Sequence, residues 1–169
     1  MKFASVSNDF FKLCSFDKEL LENSNRRPYL IIVKLKYNGK RQDFAIPLRS
    51  NISSTTPREQ YFPLPPRKST SKGRKHGLHY IKMFPIRKEF LQKFHTDKDP
   101  YYQMLVKFID KRKKQIITEA QEYLDKYESG YRFEYATDIH GIYLTLQEAF
   151  PAKEAAYVVE SSKDEDKNL

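Results

Sequence analysis

The sequence predicts an α+β fold, and three observations carry that prediction. Residues 29–37 form an apolar, β-branched run that meets a second strand through Asn38-Gly39. A further apolar strand is expected over about 78–86. Asp99-Pro100 then opens a helical pattern that runs to Ser129-Gly130. At 169 residues the chain can build one real core and is short for two. Residues 1–155 are therefore assigned to a single domain, and 156–169 to a charged tail.

The elements follow in order. Phe3 to Val6 alternates as a short strand, and Ser7 or Asn8 can cap a helix carrying Phe10, Phe11, Leu13, Cys14 and Phe16. Asp17 to Asn25 is polar, a loop or a short helix. In the strand after Pro28, Tyr29, Ile31, Val33, Leu35 and Tyr37 are expected on one face. Asn38 and Gly39 both tolerate positive φ, which predicts a type I′ hairpin. The return strand, about 42–48, aligns Phe44, Ile46 and Leu48, with Ser50 next in the period. Pro47 has no amide hydrogen, which predicts a sheet edge or a bulge there. Such a disrupted strand end would present Arg49 and Ser50 to a ligand.

Residues 51–75 show little hydrophobic periodicity, and four prolines favour an extended path around Tyr61, Phe62 and Leu64. In the next strand His76, Leu78, Tyr80 and Lys82 share one parity, while His79, Ile81 and Met83 share the other. Pro85 marks an edge or a strand end, and 87–94 reads as a short helix. The long helix places Tyr102, Leu105, Ile109, Ile116, Ala120, Tyr123 and Tyr127 at helical spacing, interrupted at Lys111-Arg112-Lys113-Lys114. Tyr131, Phe133 and Tyr135 alternate like a strand, whereas Leu144 to Phe150 looks helical.

Composition narrows the function. The net charge is +9, and 31% of residues are charged. That balance points to an acidic partner, nucleic acid before membrane, since no basic amphipathic helix stands out. Between Asn51 and Phe90 lie nine Lys or Arg against only Glu59 and Glu89. A positive loop at about 51–76, between two core strands, fits a polyanion, with RNA the leading candidate. Cys14 is the single cysteine, so no internal disulfide forms, and no Cys/His spacing would hold zinc. No cofactor is expected. With no apolar span and no leader-like start, a cytoplasmic location is expected.

Several landmarks also occur together, in this order, in a known family. They are Met1-Lys2-Phe3 with its short helix, Arg27-Pro28-Tyr29 leading into an apolar strand, and Pro47-Leu48-Arg49-Ser50. Gly77-Leu78, Tyr80, Lys82, and the Pro100-Tyr101 helix start with Met104-Leu105 complete the set. Over roughly residues 1–150 the chain resembles the ToxN/AbiQ endoribonuclease toxins of type III toxin–antitoxin systems. Its Ile46–Ile52 stretch is most like the TenpN branch. The resemblance implies a twisted antiparallel β-sheet with packed helices, similar to MazF/Kid-like toxins. It also implies metal-independent RNA cleavage, inhibition by a small structured antitoxin RNA made from tandem repeats, a closed protein–RNA assembly, and phage defence by abortive infection. The family's serine falls on Ser50 and its strand lysine on Lys82. The threonine often found before that serine is Arg49 here, two family tyrosines correspond to Phe10 and Val106, and a lysine after the turn has no counterpart beside Ile52.

RNA is cut without metal by activating the 2′-OH, stabilising the charged phosphorane and protonating the 5′-oxygen. Candidates for this work are Ser50, Arg49, Lys82 and His76, with His79 and Tyr80 as further proton-transfer groups. His76 is preferred to His79 because its strand parity matches Lys82. The expected RNA-binding set is Arg27, Tyr29, Asn51, Arg67, Lys68, Lys72, Arg74, Lys75, His79, Tyr80, Lys113 and Lys114. No paired carboxylates flank the basic region, which disfavours a metal-dependent nuclease. The alternatives are a non-catalytic RNA-binding regulator and, more weakly, an accessory protein whose charge serves solubility.

Overall fold

Seven antiparallel strands build one sheet in the computed structural model, which describes residues 1–20 and 28–151. The strands are β1 (Lys2–Val6), β2 (Tyr29–Tyr37), β3 (Lys40–Ile52), β4 (Tyr61–Pro63), β5 (Lys75–His79), β6 (Phe84–Pro85) and β7 (Leu91–Lys93). Their order is β4-β5-β3-β2-β1-β7, with β6 also paired to β3. The helices are α1 (Asn8–Leu13), α2 (Pro100–Glu128) and α3 (Ile139–Ala149). The expected α+β class and antiparallel sheet are what the structure shows.

The hairpin turns where the Asn-Gly pair predicts, with φ of 49° at Asn38 and 73° at Gly39. The expected single face of β2 is corrected. The register shifts between Ile32 and Leu35, so that Val33 and Lys34 together oppose Asp43. The extra residue rephases the strand. Leu30, Leu35 and Tyr37 join Phe44, Ile46 and Leu48 in one core, whereas Tyr29 packs with Ala45 and Phe84 in another.

The first core is closed by α2, through Leu105, Ile109, Ile116, Ala120, Leu124 and Tyr127. The second takes Phe10 of α1, Phe90, and Ile142 and Leu146 of α3. Phe10 and Phe84 stack there with centroids 4.9 Å apart. Full burial of each such side chain contributes about 1.5–3 kcal/mol. Cys14 lies in this core, and burial pushes its thiol pKa up to about 11, consistent with a small buried hydrophobe.

Asp99 caps α2 as expected, its carboxylate accepting from the Tyr101 amide at 2.9 Å with Pro100 in the first turn. The helix backbone runs unbroken through Lys111–Lys114, and the gap in the apolar spacing there is a solvent-facing stretch between buried Ile109 and Ile116. The short helix expected over 87–94 is a single 3₁₀ turn, Lys88–Phe90, followed by edge strand β7. Residues 131–135 form no strand. Phe133 instead stacks on Tyr123 at 5.8 Å, so the aromatic alternation serves packing. The basic segment carries β4, which pairs with β5 along Tyr61–Pro63. The 156–169 tail and Arg27 lie outside the described residues.

Candidate active site

The site begins with a defect in the β3–β5 ladder. Leu48 pairs with Leu78 and Arg49 with Gly77, but the next pair is Ile52 with Lys75. Ser50 and Asn51 therefore both oppose His76, a bulge of the kind that re-aims side chains. The disruption expected at Pro47 is found there, on the edge of β3 away from β2. β3 pairs with β6 up to Ala45 and with β5 from Leu48 onward. Beside the gap, the expected strand 78–86 buckles into a 3₁₀ turn at Tyr80–Lys82. A residue with no amide hydrogen suits a position where the neighbouring strand has pulled away.

Gly77 makes the close approach of β4 possible. A Cβ there would run into the Phe62 carbonyl oxygen and sit 3.0 Å from the Tyr61 ring. Asn51 accepts from the Ser71 amide at 2.9 Å, which ties the basic loop back to the bulge. Lys68, Lys72, Arg74 and Lys75 on that loop are exposed, and Lys75 lies over the Tyr61 ring at 5.4 Å. Ser50 and Arg49 are half-buried, and Arg49 Nη1 is 3.5 Å from His79 Nδ1.

His76 is only 5% exposed. Its Nδ1 lies 2.9 Å from the Pro65 carbonyl and 2.6 Å from the Tyr101 hydroxyl, which itself donates to Pro65 at 2.8 Å. Burial lowers the His76 pKa below the ordinary histidine value, the Pro65 carbonyl opposes that shift, and the Arg67 charge adds to it. Arg67 is a clamp rather than a free cation. It donates to Tyr102 Oη at 2.6 Å, pairs with Asp99 at 3.3 Å, and stacks over the Tyr101 ring at 5.3 Å.

Other expected site residues fall elsewhere. Tyr29 and Tyr80 are wholly buried, so neither ring offers a face to a base. The Tyr80 hydroxyl donates to Glu119 at 3.1 Å, and burial raises its pKa well above the tyrosine range. Lys82 sits in the 3₁₀ turn, so its strand parity with His76 does not exist. It is 4% exposed, and its ammonium reaches Glu19 Oε2 at 2.5 Å and the Tyr135 carbonyl at 2.6 Å. Lys113 and Lys114 are exposed on α2, about 18 Å along the helix from Tyr101.

Sequence reasoning did not single out Tyr101 or the Pro65 carbonyl as site groups. The Asp99-Pro100 cap places Tyr101 in the first helical turn, but nothing local says that this turn lies against His76. Among the described residues, no group of three or more His, Cys, Asp or Glu could hold a metal ion. None of their helices is long and apolar enough to cross a membrane.

No family model matches the sequence, and no curated protein is significantly similar to it. Solved structures do match in fold. One concerns a bacterial type III toxin–antitoxin system in which a non-coding RNA pseudoknot selectively inhibits the toxin. It shares 19% identity with a TM-score of 0.68, over 89% of this chain and 98% of that one. A second concerns a bacterial antiviral system regulated by a processed non-coding RNA, at 17% identity and a TM-score of 0.65, covering 87% and 98%. A third is AbiQ, a lactococcal anti-phage endoribonuclease of a type III toxin–antitoxin system, at 17% and 0.63, covering 88% and 96%. The α+β fold of this chain is therefore similar to that of type III toxin proteins across nearly its whole described length.

Proposed function

We propose that the protein is an endoribonuclease toxin of a type III toxin–antitoxin system, held in check by a structured antitoxin RNA and active in antiviral defence. The observation that carries this reading is the bulge setting Ser50 and Asn51 against His76, at the root of an exposed basic loop, on a fold similar to that of an anti-phage endoribonuclease. The proposed chemistry needs no metal. His76 takes the proton of a ribose 2′-OH, the 2′-oxygen attacks phosphorus, and the bond from phosphorus to the 5′-oxygen breaks. The departing oxygen takes a proton from water. Arg49 meets the developing charge on the phosphoryl oxygens, and Ser50 hydrogen-bonds the 2′-OH or a phosphate oxygen. Products are a 2′,3′-cyclic phosphate and a 5′-hydroxyl. Lys68, Lys72, Arg74 and Lys75 hold the RNA backbone, whereas Lys82 secures the turns around Glu19 and Tyr135.

A second reading, a non-catalytic RNA-binding regulator, is favoured by the burial of His76 and Lys82. Purified protein incubated with mixed RNA in excess EDTA separates the two. New cyclic-phosphate and 5′-hydroxyl ends support the nuclease. Intact RNA, from folded protein free of bound RNA, leaves the regulator.

A further inference from the structure

The three atoms gathered behind His76 admit only one arrangement of hydrogens. The Pro65 carbonyl oxygen can only accept. The Tyr101 hydroxyl lies 2.8 Å from it, so the phenolic hydrogen points at that oxygen. What Tyr101 then offers His76 Nδ1, 2.6 Å away, is a lone pair. Nδ1 is also 2.9 Å from the Pro65 oxygen, so both neighbours of Nδ1 are acceptors. A hydrogen on Nδ1 satisfies all three contacts. A lone pair on Nδ1 would face the carbonyl lone pairs and would draw the Tyr101 hydrogen away from Pro65, spoiling two of the three.

We infer that Tyr101 is a positioning residue which, with the Pro65 carbonyl, fixes the His76 proton on Nδ1 and leaves the lone pair on Nε2 to receive a substrate proton. The inference rests on the reading of His76 as the proton acceptor. Tyr101 is itself well held. The Asp99 carboxylate accepts from its amide, Arg67 lies over its ring, and the neighbouring Tyr102 hydroxyl binds the same guanidinium. Pro65 is held on its other side, because the Leu64 amide donates to the His76 carbonyl at 2.9 Å. The imidazole is thus oriented by a helix N-terminus and by the part of the basic loop that follows β4. A base whose tautomer is set before substrate arrives loses no time in the wrong protonation form.

The charged and titratable groups facing this cluster are Arg67 from the loop and Asp99, Tyr101 and Tyr102 from α2. Burial pushes Tyr101 up to about 12, so its hydroxyl keeps its hydrogen at working pH.

The test uses the full chain with ¹⁵N-labelled histidine. In the neutral wild-type ring, His76 Nδ1 should carry the proton and Nε2 should show the shift of an unprotonated nitrogen. Tyr101→Phe keeps the ring under Arg67 and removes only the hydroxyl. It should move the His76 titration to lower pH and reduce kcat about tenfold, the worth of one hydrogen bond, with KM within twofold of wild type. Tyr102→Phe removes a neighbouring hydroxyl that holds Arg67 but does not touch His76, so it should shift the His76 resonances less than Tyr101→Phe does. A wild-type ring protonated on Nε2 overturns the inference without reference to cleavage. So does a Tyr101→Phe protein whose His76 titration and kcat are unchanged, or a Tyr102→Phe protein that shifts His76 as far as Tyr101→Phe does. Full cleavage by His76→Ala would instead sink the functional reading, and with it any catalytic value of the fixed tautomer.

Discussion

Two bulges interrupt the central strands, and they do different work. At the first, Val33 and Lys34 oppose Asp43, and at the second Ser50 and Asn51 oppose His76. The first is flanked along β2 by the buried side chains of Leu30, Leu35 and Tyr37. Its extra residue corrects the phase of an apolar face and serves the core. Around the second are half-buried Arg49 and Ser50, exposed Asn51 and a buried histidine tied to the loop through Pro65. There the extra residue presents polar groups. The same backbone defect therefore serves the core or presents polar groups according to what its neighbours carry. The first bulge also opens onto a groove of about 350 Å³ lined by Lys34, Lys40, Arg41, Asp43, Arg87 and Lys88, away from the proposed chemistry.

The largest effect is expected from deleting Lys34 in the first bulge. Removing the extra residue would send Leu35 and Tyr37 to the wrong face, and the protein should lose its cooperative unfolding transition by circular dichroism. The next largest effect is expected beside the second bulge. Gly77→Ala must displace the Phe62 carbonyl, costing about 2–3 kcal/mol in chemical denaturation and loosening β4. If Gly77→Ala is as stable as wild type, the close β4 approach is not needed to hold the site.

The pH dependence sharpens the role of His76. Its folded pKa is lowered by burial, so in acid the unfolded chain gains the proton first. Its contribution to stability is present above the unfolded value of about 6.5 and is lost as pH falls from there to the folded pKa. On the proposed mechanism cleavage needs the neutral ring, and it should persist below 6.5 and fail only near the folded value. A rate profile whose acid limb sits at or above 6.5 would assign the proton transfer elsewhere. The smallest effect is expected for Asn51→Ala. It frees the Ser71 amide, so RNA binding should weaken several-fold while stability changes by about 1 kcal/mol or less. Unchanged RNA affinity would show that the loop does not need this tether.

What was legible in the sequence was local chemistry. Asn38-Gly39 and Asp99-Pro100 carry their own geometry, and both elements form where expected. Period and resemblance both point to Ser50, and it does lie at a disrupted ladder. The rest depends on partners distant in the chain. Neither bulge can be read from one strand, because a register exists only between two. Lys82 resembles a phosphate-seeking cation until Glu19, 63 positions earlier, is seen beside it. Tyr80 keeps the parity of a site residue, yet a 3₁₀ turn carries it into the core. Tyr101 is invisible for the same reason, since a helix start announces itself but not its neighbour.

In the proposed function the Ser50–Asn51 bulge is the seat of cleavage. The most direct measurement compares Ser50→Ala and Lys34→Ala with wild type on one RNA in EDTA, following cleavage rate and RNA affinity together. Ser50→Ala should lose cleavage by about 10²-fold or more while still binding RNA, and Lys34→Ala should keep its rate. Wild-type cleavage by Ser50→Ala, or an equal loss from Lys34→Ala, would contradict that assignment.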